Sequence, residues 1–380
     1  MVTRSENRIL TTHVGSLPRS EALCDVLLKK ERGEGHDGAA FDATVRAAVL
    51  ETVAQQARAG LDVVSDGESS KITYATYIKD RAEGFGGEHT PKPHLDMAEH
   101  PDYREIYAKV RGPQLFRRTC CVGEIRSKAD DSLNKDLANF AAALEAVEVV
   151  EGFLNAASPG VVASFQPNRF YPSHEAYIEA VAAVMQPEYE AIVGAGVLLQ
   201  VDCPDLAMSR HTGFQDLSEA EFLKRAAFHV EALNHALRNV PRERVRIHLC
   251  WGNYEGPHTH DIALSKIIGT VLAAKAGAIS FEAANPRHEH EWAEWRTADA
   301  GDVVLMPGVL DTSTNYVEHP ELVAQRIERF AGVVGRERVI ASTDCGFGTF
   351  AGTGLIAPSI AWAKLGALVE GARIASAMLY

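Results

Sequence analysis

The sequence has no apolar run long enough to span a bilayer, because charge interrupts every extended hydrophobic stretch. The opening MVTRSENRIL also lacks the apolar core of a secretory signal, so a cytoplasmic location and no membrane partner are expected. Basic charge is in deficit. With 38 Lys+Arg against 51 Asp+Glu the net charge is −13 and no basic stripe stands out, which disfavours a nucleic-acid partner. A disulfide framework is missing too: Cys24, Cys120, Cys121, Cys203, Cys250 and Cys345 are scattered, as expected of reduced thiols available to a metal. Cys120 and Cys121 are adjacent and cannot share one strand face, so neither is given a role. No low-complexity tract and no Ser/Gly/Pro linker divides the chain. At 46% hydrophobic and 23% charged residues, all 380 positions are expected to form one domain around a large core.

What is present is a recurring theme: an apolar run rich in Val, Ile and Leu, a polar or glycine-bearing turn, then an amphipathic stretch. The runs fall at 12–16, 61–68, 152–159, 198–205, 245–251, 278–283, 303–311 and 339–345. Between them, 40–59, 135–147, 174–193, 218–238, 320–334 and 358–377 carry apolar residues three and four apart, the helical spacing. Helices between buried runs imply parallel strands, which need a crossover. Eight such units, with no dinucleotide glycine fingerprint after the first run, predict a single (β/α)8 TIM barrel rather than a doubly wound sheet. Residues 84–131 are too long for a simple connection and read as an insertion between strands 2 and 3, with a hairpin around 115–125. It either covers the barrel mouth, mediates subunit contact in a homo-oligomer, or is a passive excursion.

Barrel active sites gather where strands end, so the residues closing each run are informative. They are polar: Ser16, Asp66-Gly67-Glu68, Ser158, Asp202-Cys203-Pro204-Asp205, His248-Leu249-Cys250, Glu282, Asp311 and Asp344-Cys345. His248 and Cys250, two apart in a strand, share a face. With Glu282 and Cys345 on the same rim they supply one nitrogen, two sulfurs and a carboxylate, a set that suits zinc. Taken singly, each cysteine reads as a small buried apolar residue and Glu282 as a salt-bridged acid.

The segments TTHVGSLPR, DVVSDGE, VDCPD, IHLCWGN, ISFEAANPR, MPGVLD and IASTDCGFGT, in this order over about 11–349, resemble the catalytic barrel of cobalamin-independent methionine synthases, and most closely the short single-barrel members. The resemblance implies a zinc held by His248, Cys250, Glu282 and Cys345, joined by the thiol of homocysteine or an analogue. The zinc-bound thiolate would then be methylated in methionine biosynthesis. It also implies that Ser16, Glu68 and Asp202 bind the amino-acid end of that thiol. In bland readings Ser16 caps a turn, Glu68 pairs with Lys71 and Asp202 caps its strand.

The pattern breaks in three places. The family's acid histidine, two beyond the Asp closing the seventh strand, is absent from Asp311-Thr312-Ser313. Asp311 and Ser313 therefore stand at the catalytic position, with His319 and His288 as nearby substitutes. Phe165 occupies the place of a tryptophan at the methylfolate site, where a smaller ring offers less stacking area. The second barrel of the full-length enzymes has no counterpart in this chain. Folate as donor is thereby weakened against a methyl-corrinoid or another alkyl donor. Trp251 and Tyr254 are expected to wall the substrate pocket; His258 and His260 read as capping residues, with metal binding as the lesser alternative, and Arg287 either binds a substrate carboxylate or sulfonate or pairs with Glu289. Two alternatives remain: a thiol alkyltransferase of the epoxyalkane:coenzyme M type, and a non-catalytic zinc-binding barrel.

Overall fold

The computed structural model describes residues 3–380 apart from 36, 113, 114 and 355. Eight strands form one sheet: β1 (Leu10–Thr11), β2 (Val63–Ser65), β5 (Glu151–Ala157), β6 (Leu198–Asp202), β7 (Val245–Leu249), β8 (Ala278–Phe281), β9 (Val304–Leu310) and β10 (Ile340–Thr343). Their order is β1-β10-β9-β8-β7-β6-β5-β2, with every neighbouring pair parallel. Helices between the strands satisfy the crossover rule. The two free edges meet through Asp62 N–H to Thr11 O (3.2 Å) and Thr12 Oγ1 to Val63 O (3.1 Å), giving a nearly closed (β/α)8 barrel.

Seven of the eight expected runs contain a barrel strand; the first, 12–16, does not. The first differs in place: β1 is Leu10–Thr11, and 12–16 form the loop beyond it. Gly15 explains the difference. Its φ is +145°, and a Cβ there would lie 2.4 Å from Asn155 Oδ1, so the chain turns over the barrel top against Asn155.

The large core lies between strands and helices. The helix Glu219–Ala236 shows how the sequence builds it: Ser218 and Glu221 form a capping box, and Phe222, Ala226, Val230 and Leu233 recur on the buried face. Inside the barrel a smaller cluster, Leu10, Ala278, Val304, Met306 and Ile340, fills part of the interior. In register with Ala278 of this cluster is Arg246, fully buried, with its guanidinium 4.0 Å over the Phe153 ring and bonded to Thr12 Oγ1 and His13 O.

The insertion folds differently from the hairpin expected around 115–125. β3 (Ala82–Gly86) pairs antiparallel with β4 (Cys120–Ser127), and the helices Leu95–Glu99 and Pro101–Arg111 lie between them. Residues 120–127 pair with 82–86 across the two intervening helices, a separation that local pattern does not encode. His94, Tyr107, Phe116 and Arg118 of this insertion line the cavity at the barrel mouth, so it covers the mouth.

Candidate metal and substrate site

At the carboxyl ends of the strands lies a cavity of about 670 Å³ whose wall includes Ser16, Glu68, Asp202, His248, Cys250 and Cys345. β7 points His248 inward, and Cys250 follows one residue past its end. Cys345 comes two residues beyond β10. Cys250 Sγ and Cys345 Sγ are 3.8 Å apart, far beyond a disulfide's ~2.05 Å. Two sulfurs on a tetrahedral ion at ~2.3 Å would be separated by roughly 3.8 Å. The candidate ligand atoms of His248, Cys250 and Cys345 all lie within 4.8 Å of one another. Both ring nitrogens of His248 are buried without a hydrogen-bond partner among the described residues. A buried imidazole is rarely left so, and an ion between it and the two sulfurs would satisfy it.

Glu282 stands beside this set rather than within it. Its Oε1 accepts from Trp251 N–H (3.0 Å) and its Oε2 from Asn285 Nδ2 (2.9 Å). The hydrogen bond to Cys345, burial and the nearby Glu282 charge together push the Cys250 thiol well up. Burial also holds His248 neutral, its pKa lowered to about 3.

Asp344 ties the ligand-bearing ends together. Its carboxyl accepts from the backbone N–H groups of Ala283 (2.8 Å), Ala284 (2.9 Å) and Asn285 (2.9 Å), joining the end of β10 to the loop that carries Glu282. This needs a bare backbone at Gly308 in β9, where a Cβ would lie 2.1 Å from Asp344 Oδ1 and 2.6 Å from its Cα. Gly308→Ala should lower stability by about 1–3 kcal/mol or more, read as a drop in the urea midpoint at unchanged m value. An unchanged midpoint would show that the two strand ends are not this close.

On another side of the cavity, Glu68 and Asp202 place two carboxyls in one buried region. Asp202 accepts from Asn155 Nδ2 (3.0 Å) and Gln200 Nε2 (2.9 Å). Glu68 has φ +55°, and its Oε2 is buried with no partner among the described residues. Burial and the Asp202 charge push Glu68 up to about 8. Burial likewise raises Asp202 to about 6, against the Asn155 and Gln200 bonds that hold it down. Lys71 Nζ donates to Asn155 O instead of forming an ion pair with Glu68. Ser16 does not cap its own turn: its Oγ accepts from Gly348 N–H (3.4 Å) and its carbonyl from Phe347 N–H (2.8 Å), which holds the segment after Cys345.

Three placements correct the sequence reading. Trp251 does not wall the cavity; it is fully buried, donates Nε1–H to Ile262 O (2.6 Å) and stacks on His288 at 4.1 Å, so Tyr254 alone of that pair lines the pocket. Its indole N–H needs an acceptor, and the loop carbonyl provides one only in the core. Asp311 and Ser313 do not reach the thiolate cavity. Ser313 donates Oγ–H (2.8 Å) and N–H (2.9 Å) back to Asp311 Oδ1 in an Asx turn, and it lines a neighbouring 250 Å³ pocket. The two substitute histidines face elsewhere: His319 caps its helix, and His288 sits between Asp261 (2.9 Å) and Glu291 (2.8 Å). Phe165 does line the cavity, edge-on to Tyr74 (5.5 Å) and under the Arg118 guanidinium (5.0 Å). Arg287 does not pair with Glu289, which Arg326 and Arg329 hold, whereas His258 and His260 pair with Asp261 and Glu99.

Sequence reasoning missed Asn155, which bonds both Val14 O and Asp202, and Arg118 of the insertion. An inward position on the third barrel strand was the only signal for the first.

Fold and site together define a (β/α)8-barrel protein with a candidate imidazole–thiolate metal centre at its strand ends. The model of the cobalamin-independent synthase catalytic domain matches residues 106–364, and the chain belongs to the cobalamin-independent methionine synthase family. It is similar to the methionine synthase of Saccharolobus solfataricus, at 24% identity over 96% of this chain and 94% of that protein. It is also similar to that of Sulfolobus acidocaldarius, at 23% over 96% and 91%. Among solved structures, a B12-independent methionine synthase from a Shewanella species, in complex with selenomethionine, shares the fold at a TM-score of 0.74 and 18% identity, covering 98% of this chain and 99% of that one. A putative vitamin-B12 independent methionine synthase from Listeria monocytogenes does so at 0.65 and 17%, covering 97% and 99%.

Proposed function

We propose that the protein is a zinc-dependent S-methyltransferase acting on a small thiol amino acid, homocysteine or an analogue. The observation that carries this reading is the 3.8 Å sulfur pair beside an unsatisfied His248, in one cavity with two buried carboxyls. His248, Cys250 and Cys345 would hold the zinc, and Glu282, held beside them by Trp251 N–H and Asn285, would have to move in to supply a fourth ligand atom. Bound there, zinc would supply the charge that keeps an incoming thiol deprotonated at neutral pH. Glu68 and Asp202 receive the substrate ammonium, and Asn155 and Gln200 keep Asp202 oriented toward it. The aromatic wall of Tyr74, Phe116 and Phe165 excludes water on the donor side, and Arg118 offers a cation to an anionic donor group. The family relatives bearing the name methionine synthase support this reading.

Ser313 and Asp311 are turned to each other and do not line the cavity, so neither stands where it could hand a proton to a departing folate nitrogen. That favours, as a second reading, another electrophile on the same thiolate: a methyl-corrinoid, whose leaving group departs without a proton, or a small epoxide. Purified protein should carry about one zinc per chain. Adding homocysteine should change the zinc-edge absorption toward more sulfur scattering. Metal-free, fully active protein would end the proposal, and thiol consumption with methylfolate, methylcobalamin and small epoxides in parallel separates the donors.

A further inference from the structure

A second group of ligating side chains reaches the same cavity through His94, with two fully buried residues beside it, and takes no part in the reading above. His94 and Asp96 come from the insertion, and His211 from the segment after β6. Their ligand atoms all lie within 4.8 Å of one another. The two segments are tied by Leu95 N–H to His211 O (3.1 Å).

Each side chain is prepared for an ion. His211 is fully buried and neutral, since burial lowers its pKa despite the nearby Asp261. Its Nε2–H donates to Trp251 O (2.9 Å), which puts the lone pair on Nδ1, and that atom has no hydrogen-bond partner among the described residues. A histidine ligand commonly donates its other ring N–H to a carbonyl in this way, fixing the tautomer. Asp96 is buried yet stays a carboxylate. Burial pushes its pKa up, and the Tyr254 hydroxyl and His258 N–H (2.9 Å) on Oδ2 bring it down below the usual value. Oδ1 carries only the Met97 N–H (2.8 Å), leaving acceptor capacity. The His94 and His211 rings are edge-on, 5.4 Å between centroids at 79°. Two imidazoles sharing one ion at ~2.1 Å would place their centroids roughly 5 Å apart.

We propose that His94, Asp96 and His211 bind a divalent first-row transition ion in a site distinct from the thiolate centre. Two imidazoles and one carboxylate, without sulfur, form the set that suits an Fe(II)- or Co(II)-class ion with open positions, whereas calcium and magnesium prefer all-oxygen sites. Among the three ligands His94 lines the cavity, next to Tyr254, so an ion held there would be reached from the space shared with Cys250. This inference does not rest on the proposed methyl transfer.

Titration of the chelator-stripped full chain with Co(II) tests it. Two equivalents are expected, one giving intense sulfur-to-cobalt charge transfer in the near ultraviolet and one giving only weak visible bands. His94→Ala and Asp96→Asn should weaken the second by at least about 100-fold and leave the sulfur band intact. Cys250→Ala should do the reverse, so failure of either site is seen separately. Should Asp96→Asn not fold, His94→Ala carries the test, because that ring sits at the cavity wall outside the hydrophobic core. A single equivalent in the wild type, or a second one that both variants bind undiminished, overturns the proposal.

Discussion

Cys250→Ala is expected to leave the thiolate centre without zinc and to cut turnover at least roughly 1,000-fold, because a metal centre contributes several kcal/mol to the transition state and each 1.36 kcal/mol is a decade. The change should be one of chemistry rather than folding. Cys250 lies at a cavity wall, so removing its sulfur leaves little of the packed core disturbed, a loss of about 1 kcal/mol that circular dichroism and a melting curve would register. Cys345→Ser should behave the same way, since the pair holds the site jointly. Retention of stoichiometric zinc and full turnover in either variant would remove the basis of the proposed function.

The second large effect concerns the buried carboxyls. Glu68→Gln should raise KM for the thiol amino acid about 100-fold, a loss of ~3 kcal/mol of the kind seen when one partner of a buried charged pair is removed. In the free protein Glu68 titrates near 8, raised first by burial and then by Asp202, so at pH 7 it is mostly protonated. An arriving ammonium must displace that proton. Affinity should therefore rise with pH up to about 8, and binding at pH 7 should release a proton, read as a calorimetric enthalpy that varies with the buffer.

The sign for stability is opposite. A carboxyl whose folded pKa is raised binds more protons folded than unfolded, so the native state loses stability as pH climbs from about 4.5 through about 8. Glu68→Gln removes that loss and should melt higher than the wild type at pH 8 but not at pH 4, trading binding for stability. A KM that does not move, with no proton released, would place the ammonium elsewhere.

Much of this architecture was legible along the chain because it is local. Apolar runs and three-four spacing depend on backbone geometry within a dozen residues, so seven of the eight barrel strands were placed from pattern; the first lies just ahead of its expected run, where the chain turns at Gly15. His248 and Cys250 could be paired for the same reason, being two apart at one strand end. What local pattern lacks is register across the molecule. The insertion shows this: 120–127 finds its partner in 82–86 and carries His94 and Arg118 to the mouth, a placement no periodicity announces.

The order of residues by itself determined a barrel of alternating strands and helices, with polar groups at the strand ends and two cysteines available to one rim. Only the tertiary structure decided that Cys345 closes on Cys250 from 95 positions away, that Trp251 turns into the core, and that Ser313 folds back on Asp311. The reason is that side-chain direction at a loop is set by which donors and acceptors the closed barrel leaves unpaired. Those partners come from strands far apart in sequence.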